Sequence, residues 1–158
     1  MKKIHLTQSK FALVDDEDFE VLSKHKWCFN GSYATRGLYK DGKVKTLYMH
    51  KEILQPAGSL LTDHVNRDKL DNRRLNLRPA TSIENQYNRG KQVNNTTGHK
   101  GIYWHKGSDK WFVSISIKGK LTAIGYFTKI EEAIKAHTRF AKKHHGEFAL
   151  TNLSTKGL

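Results

Sequence analysis

The chain has almost no cysteine, few acidic residues and no long hydrophobic run. Cys28 is the one cysteine, so neither a disulfide framework nor a cysteine-rich zinc site can be built. We expect no structural zinc, and any metal must be held by oxygen and imidazole ligands. No apolar run approaches the roughly 20 residues that cross a bilayer, and the N-terminal segment from Met1 to Leu6 lacks the apolar core of a signal peptide. These absences predict a soluble, cytoplasmic protein without a membrane partner.

Basic residues outnumber acidic ones by 28 to 15, which gives a net charge of +13. The excess is concentrated in residues 91–158, which contain 12 basic and four acidic residues. A chain with this excess is drawn toward a polyanion, and nucleic acid is the commoner partner where no lipid anchor is present. A solvated basic surface is the alternative interpretation.

Hydrophobic residues make up 37% of the chain, which is low for a single large core. We therefore expect small modules in series, with an α+β fold class. Residues 1–55 are predicted to form a β-rich mini-domain, in which Asp41-Gly42 favours a tight hairpin turn. Residues 56–90 follow as a second module. Residues 91–98 are polar and form the predicted linker to a third module, residues 99–158.

The second module contains the candidate catalytic segment, Asp63-His64. These two residues are expected to end a short strand, and Thr81-Ser82-Ile83-Glu84 is a capping box that opens a helix. Asn85 then lies in the first turn of that helix. If strand, loop and helix fold back on one another, Asp63 and Asn85 each offer a hard oxygen to a divalent cation such as magnesium or manganese.

His64 is the candidate general base of this segment. An imidazole with an ordinary pKa of about 6.5 is available in its neutral form at cellular pH. Asn76 is predicted to support it, because an amide can hydrogen-bond backbone on both sides of a loop and hold the His64 strand in register. Taken singly, each of these residues is more often an ordinary turn former than a catalytic group.

The third module is predicted to be a three-stranded antiparallel sheet packed on one helix. The strands are expected at Lys100–Trp104, Lys110–Ile117 and Thr122–Phe127, and a capping box at Thr128–Glu131 opens a helix through about His144. The middle strand alternates in polarity, so one sheet face is expected to pack inward and the other to stay available. An open basic sheet face suits the major groove of DNA.

The segment from Asp63 to Arg78, with Asn85 beyond it, resembles the HNH endonuclease motif in its His-Asn-Asn form. Asn76 and Asn85 follow His64 by 12 and 21 residues, as in that family. The resemblance implies a ββα-metal unit with His64 as general base, Asp63 and Asn85 as metal ligands, and Asn76 as the orienting asparagine. His50 opens the preceding helix and is interpreted as structural, with a substrate contact as the alternative.

Residues 98 to about 153 resemble the Apetala-type, or ethylene-response-factor-type, DNA-binding domain. The matching pieces include Lys100-Gly101-Ile102, Ile124-Gly125-Tyr126-Phe127 and Gly146-Glu147-Phe148-Ala149. The resemblance implies a sheet that reads duplex DNA. The candidate DNA contacts on this module are Lys100, Tyr103, His105, Ser114, Ser116 and Lys118. Four arginines of the HNH loop are further candidates, as phosphate clamps: Arg67, Arg73, Arg74 and Arg78.

These features together predict a metal-dependent HNH endonuclease that hydrolyses DNA phosphodiester bonds, with a C-terminal module that supplies affinity and site preference. One compact site attacks one strand at a time, so we expect a monomer that nicks double-stranded DNA. A DNA-binding protein or transcriptional regulator with a remnant nuclease motif is the alternative. An RNA-binding protein is a weaker one, because it would need aromatic side chains exposed on the sheet.

Overall fold

Ten short strands and four α-helices follow one another within residues 1–152, the part of the chain that the computed structural model describes. All strand pairs within its sheets are antiparallel. The chain divides into two units, Met1–Ser82 and Ile83–Leu158. Among the described helices, none combines the length and the apolar character that crossing a membrane requires.

The first unit combines three small sheets with two α-helices. Its elements in chain order are β1 (Lys2–His5), β2 (Phe11–Val14), α1 (Asp16–Leu22), β3 (Cys28–Phe29), β4 (Ala34–Lys40), β5 (Lys43–Tyr48), α2 (Met49–Leu54), β6 (Leu61–His64), a short 3-10 helix (Arg74–Asn76) and β7 (Leu77–Ala80). Strands β4 and β5 meet at Asp41-Gly42, where both residues have positive φ. A two-residue hairpin turn of this kind requires that conformation.

The core of the first unit forms around Trp27, which is buried with Val14 and Met49. The indole Nε1 of Trp27 donates a hydrogen bond of 2.8 Å to the carbonyl oxygen of Leu22, so the last turn of α1 is tied to this core. Burying an indole requires a partner for its N–H group, and the end of a helix offers unpaired carbonyls.

Residues 1–55 and the segment that follows them share this unit. The backbone of Leu13 in β2 exchanges two hydrogen bonds of 2.8 Å with the loop after β6, accepting from Asn72 and donating to Leu70. Arg74 binds Asp18 of α1 through its guanidinium. Residues 1–55 therefore share one unit with the loop that carries the candidate site, and β2 and α1 hold that loop.

The second unit is built on one three-stranded sheet. Its elements are α3 (Ser82–Tyr87, whose first residue ends the first unit), β8 (Ile102–His105), β9 (Lys110–Ile117), β10 (Lys120–Phe127), α4 (Ile130–His145) and a short 3-10 helix (Gly146–Phe148). Strand β9 lies between β8 and β10. Ile102 and Val113 are fully buried with Ala133 of α4, so one sheet face packs on α4.

Two local features of this unit differ from the sequence prediction. The residue before α4 is Lys129, one residue after Thr128, where the predicted capping box begins, and the Lys129 side chain makes no capping hydrogen bond. Ser114 was placed on the available face of β9, but it is only 2% exposed. Alternation assigns a residue to a face and does not reveal what covers that face.

The division between the units lies eight residues before the predicted linker 91–98, because residues 83–90 belong to the second unit. The ammonium of Lys100 donates to the carbonyl oxygens of Tyr87 and Arg89, each at 2.7 Å. The ring of Tyr87 stacks on His145 with centroids 3.6 Å apart. Of the module predicted at 99–158, residues 153–158 lie outside the described part of the chain.

Candidate active site

The end of β6 positions the first two candidate residues. In the antiparallel pair of β6 and β7, Asp63 lies opposite Arg78 and His64 lies opposite Leu77. Successive residues of a strand point to opposite faces, so the Asp63 and His64 side chains leave the strand in different directions. Both side chains are buried. The short hairpin therefore presents a carboxylate and an imidazole from neighbouring positions.

Asn76 closes the loop that joins the two strands. Its side-chain Oδ1 accepts a hydrogen bond of 2.9 Å from the backbone N–H of Asn66, and its Nδ2 donates one of 2.7 Å to the carbonyl oxygen of Asp71. The backbone N–H of Val65 also donates to the carbonyl oxygen of Asn76. The amide thus fastens both arms of the loop, and the residue after His64 is fixed relative to the start of β7.

Asn72 makes a polar contact with the ring of His64, and the sequence did not single it out. His64 Nε2 lies 3.4 Å from Asn72 Oδ1, and Asn72 is fully buried. Asn72 Nδ2 donates to the carbonyl oxygen of Leu70, which fixes which end of the amide faces the imidazole. With an acceptor oxygen facing Nε2, the proton of a neutral ring is placed on Nε2 and the lone pair on Nδ1.

The surroundings of His64 favour its neutral form. Burial lowers the pKa of His64 below its ordinary value, while the contact with Asn72 and three nearby carboxylates oppose that shift without cancelling it. An imidazole that stays neutral near pH 7 can accept a proton. The electrostatics of the loop are therefore compatible with a general base at this position.

His50 forms the wall beside His64. The two ring centroids are 5.1 Å apart and nearly perpendicular, and Tyr33 packs against both rings. His50 is 5% exposed and its Nδ1 has no hydrogen-bond partner. Burial, with neighbouring His64 and Lys51 acting in the same direction, lowers the pKa of His50 to about 3. The ring is thus a neutral packing surface for His64.

Asp63 has ligand chemistry that suits a divalent cation, but it already has a partner. Its Oδ2 accepts from Arg78 Nε at 2.9 Å and lies 2.8 Å from Arg78 Nη2, with both side chains largely buried. Magnesium takes carboxylate oxygens and completes its shell with water and phosphate oxygens. In the described part of the chain, no group of three or more His, Cys, Asp or Glu side chains is arranged to hold a metal ion. Asp63 therefore fits as one ligand of a cation that water and substrate must complete.

Asn85, the other predicted ligand, is in α3 and belongs to the second unit. Its partnership with Asp63 stays a prediction.

The comparisons with known proteins show the family of the chain by sequence identity. The chain is 30% identical over 87 residues to Protein 3.8 of Escherichia phage T7, a match that spans 55% of the chain and 71% of the phage protein. The chain belongs to the family of Protein 3.8. It is also 28% identical over 149 residues to a protein of Acanthamoeba polyphaga mimivirus named as an uncharacterised HNH endonuclease, across 90% of the chain and 74% of that protein. No protein-family model and no solved structure matches the chain.

Three of the four arginines predicted to clamp phosphates have carboxylate partners in this member of the Protein 3.8 family. Arg73 binds Asp71 through two nitrogens, Arg74 binds Asp18 and Glu17, and Arg78 binds Asp63. Each of these guanidinium charges is offset within the fold. Arg67 is exposed in the loop with φ of 68°. Lys69, which the sequence did not single out, places its ammonium 4.6 Å from the ring centre of Tyr33 beside the two histidines.

The predicted contacts on the second unit differ in accessibility. Tyr103, His105 and Lys118 are exposed, and Ser116 is half-buried. Lys100 donates its ammonium to two backbone carbonyls, so its charge serves the fold. Ser114 is buried and its hydroxyl has no partner. In this conformation Ser114 is too buried to contact a ligand. Its backbone N–H donates to the carbonyl oxygen of Gly101, which extends the pairing of β8 with β9.

Proposed function

We propose that this protein is a metal-dependent HNH endonuclease that hydrolyses phosphodiester bonds of DNA. The observation that carries the proposal is the pairing of buried His64 with Asn72 at the end of β6, directly beside the carboxylate of Asp63. The name of the mimivirus relative agrees with it, and so does the net charge of +13, which favours a polyanionic substrate.

His64 would act as the general base. Its ring, kept neutral by burial and oriented through Nε2 by Asn72, would take a proton from a water molecule. The resulting hydroxide attacks phosphorus, the bond from phosphorus to the 3′ oxygen breaks, and the leaving oxygen takes a proton from solvent. A positioned base of this kind typically contributes 10²–10⁴-fold to the rate.

Asp63 and Asn85 would hold the cation, magnesium or manganese, as the HNH resemblance implies. Such a cation stabilises the charge that develops on the phosphoryl group and on the leaving oxygen. Arg78 keeps the buried Asp63 oriented while the cation is absent, since an arginine fork fixes a carboxylate in place. Asn76 keeps the loop closed, so that His64 and Asp63 retain their relative positions.

The second unit would supply affinity for DNA, in keeping with the Apetala-type resemblance and with the basic excess of residues 91–158. One compact site in one chain acts on one strand, so the protein is proposed to be a monomer that nicks double-stranded DNA. The relatives come from a phage and a virus, which is compatible with action in the cytoplasm of an infected cell.

A time course on supercoiled plasmid tests the reaction. Magnesium or manganese should convert the plasmid to the nicked form before any linear form accumulates, and a chelator should stop the conversion. Linear and nicked products in equal amounts from the start would contradict nicking by a monomer. Plasmid that is retarded in a gel but never cut, with either metal, would support the alternative of a DNA-binding protein with a remnant nuclease motif.

A further inference from the structure

The sheet of the second unit presents a row of aromatic rings on the side away from α4. Cross-strand pairing places Tyr103 of β8 and Tyr126 of β10 directly opposite Phe112 of β9, one on each side. Residues directly opposite one another in a sheet share a face. His105, two residues after Tyr103, continues the row. We call Tyr103, His105, Phe112 and Tyr126 the aromatic face.

Three rings of the aromatic face contact one another, and its two tyrosines are open to solvent. The centroids of Phe112 and Tyr126 are 5.1 Å apart, and those of His105 and Tyr126 are 5.3 Å apart. Tyr103 is 45% exposed and Tyr126 is 51% exposed. Aromatic side chains usually bury most of their area, so several touching rings at one exposed surface mark a binding surface.

The neighbouring positions on this face offer few groups that could read base edges. Ser114 is buried and lies opposite Ala123, and Ser116 lies opposite Leu121, which is 77% exposed. The major groove of duplex DNA presents the edges of base pairs to hydrogen-bonding side chains, while the flat faces of the bases are stacked inside the duplex. The aromatic face therefore suits flat base surfaces better than base edges.

Positive charge flanks the aromatic face. Lys110 lies opposite His105 on the same face, and a cavity of about 300 Å³ beside Tyr103 is lined in part by Arg89 and Lys91. Residues 91–158 contain 12 basic and four acidic residues. Stacking rings bordered by cations are the features that bind single-stranded nucleic acid.

We propose that the aromatic face binds unpaired bases of single-stranded DNA, with Tyr103, Phe112 and Tyr126 as the stacking platform. The choice of DNA rests on the function proposed above; the choice of unpaired bases rests on the exposed rings and on the cations beside them. In a protein that nicks duplexes, such a surface would hold a strand that has opened near the cut.

Fluorescence anisotropy of the full chain with a labelled single-stranded DNA of about 15 nucleotides tests this proposal. The titration is run with a chelator, so that it does not depend on cleavage, and is repeated with the same sequence as a duplex and as RNA. Tyr126→Ala and Tyr103→Ala remove rings from the face. Tyr126→Phe keeps the ring without its hydroxyl, and Tyr39→Ala removes an exposed tyrosine of the first unit. Circular dichroism checks that each variant is folded.

The single strand should bind more tightly than the duplex, and each alanine variant on the face should weaken that binding at least about fivefold. Tyr126→Phe and Tyr39→Ala should bind like the wild type. Unchanged binding in both Tyr126→Ala and Tyr103→Ala would overturn the proposal, as would tighter binding of the duplex. A preference for the RNA strand would overturn the assignment to DNA. The binding titrations contain no metal, so their outcome does not depend on cleavage. A failure to nick would not contradict binding of the single strand by the aromatic face, and normal nicking would not support it if the titrations failed.

Discussion

At the scale of single residues, the candidate site depends on a few contacts that hold His64 and its loop in place. Asp63, His64 and Asn76 come together at the β6–β7 hairpin, because their short spacing keeps them within one loop. The sequence did not predict the role of Asn72, because asparagine is common in turns. The spacing of Asn72 gives no reason to choose it over Asn66. The carboxylate partners of Arg73 and Arg78 were also missed, because charge counts do not tell which opposite charges meet.

Asn72→Ala should slow nicking about 10- to 100-fold, because outer contacts that orient a catalytic imidazole have effects of this size. The loss should appear in kcat and leave KM nearly unchanged, since Asn72 is buried and cannot touch DNA. Asn72→Asp keeps an oxygen facing His64 and should retain more activity than Asn72→Ala. Single-turnover plasmid assays measure both. Equal rates for Asn72→Ala and the wild type would show that the His64 ring needs no such partner.

His137 should make the second unit less stable in acid. Burial lowers the pKa of His137 to about 4, with Lys100 and His145 acting in the same direction. The folded state therefore stays unprotonated while the unfolded chain takes up a proton below about pH 6.5. The free energy of unfolding is therefore not reduced by this group above that pH. It falls by up to about 3 kcal/mol as the pH drops toward 4.

Urea unfolding followed by tryptophan fluorescence at about pH 7 and about pH 4.5 measures the acid loss. The loss of stability between these two pH values should be smaller in His137→Gln, because glutamine has no proton to take up. An acid loss of the same size in His137→Gln would assign it to other groups.

At the scale of elements, turns and the alternation of strand residues were predictable from the sequence. The contacts that bury or expose particular side chains on a sheet face were not. The Asp41-Gly42 turn and the strand that ends at His64 follow from local residue preferences. The faces of β9 also follow from alternation. The burial of Ser114 and the exposed pairing of Tyr126 with Phe112 depend on register and on a bulge between Ala123 and Gly125, and the sequence pattern contains neither.

Gly101→Ala should destabilise the second unit far more than Gly119→Ala. Both glycines have positive φ, near 71° and 80°, so both variants incur the roughly 1 kcal/mol cost of that conformation. A Cβ at Gly101 would also lie 2.3 Å from the carbonyl oxygen of Ser114 and 2.7 Å from the His137 ring, whereas none of the surrounding atoms comes within 4 Å at Gly119. We expect a loss of more than about 3 kcal/mol for Gly101→Ala. Urea midpoints compare the two; similar losses would mean that β8 can move away from β9.

At the scale of the whole molecule, charge predicted the partner class and composition predicted small modules. The division of the chain did not follow composition: the polar segment 91–98 reads as a linker, yet Lys100 binds the carbonyls of Tyr87 and Arg89 and draws the preceding residues into the second unit. Long-range hydrogen bonds of this kind leave no local signature in a sequence. The prediction that Asn85 and Asp63 bind one metal ion also concerns the whole molecule. It is the part of the candidate site that rests on the sequence alone.

Binding to duplex DNA should weaken steeply with salt, since a chain with net charge +13 displaces counterions when it neutralises phosphates. If at least about four phosphates are contacted, a plot of log K against log salt concentration should have a slope steeper than about −3. Anisotropy titrations between about 50 and 200 mM potassium chloride, in chelator, measure the slope. A slope near −1 would indicate that most of the basic surface is solvated and does not touch DNA.

We infer that His64 is the base of a DNA-cutting site. Nicking of supercoiled plasmid by His64→Ala, measured beside the wild type and His25→Ala, tests this claim. His25 is an exposed histidine of the same unit, so its variant controls for loss of an imidazole elsewhere. With magnesium or manganese, the wild type and His25→Ala should nick the plasmid at similar rates, and His64→Ala should be slower by at least about 10²-fold. Nicking by His64→Ala at the wild-type rate would contradict the claim.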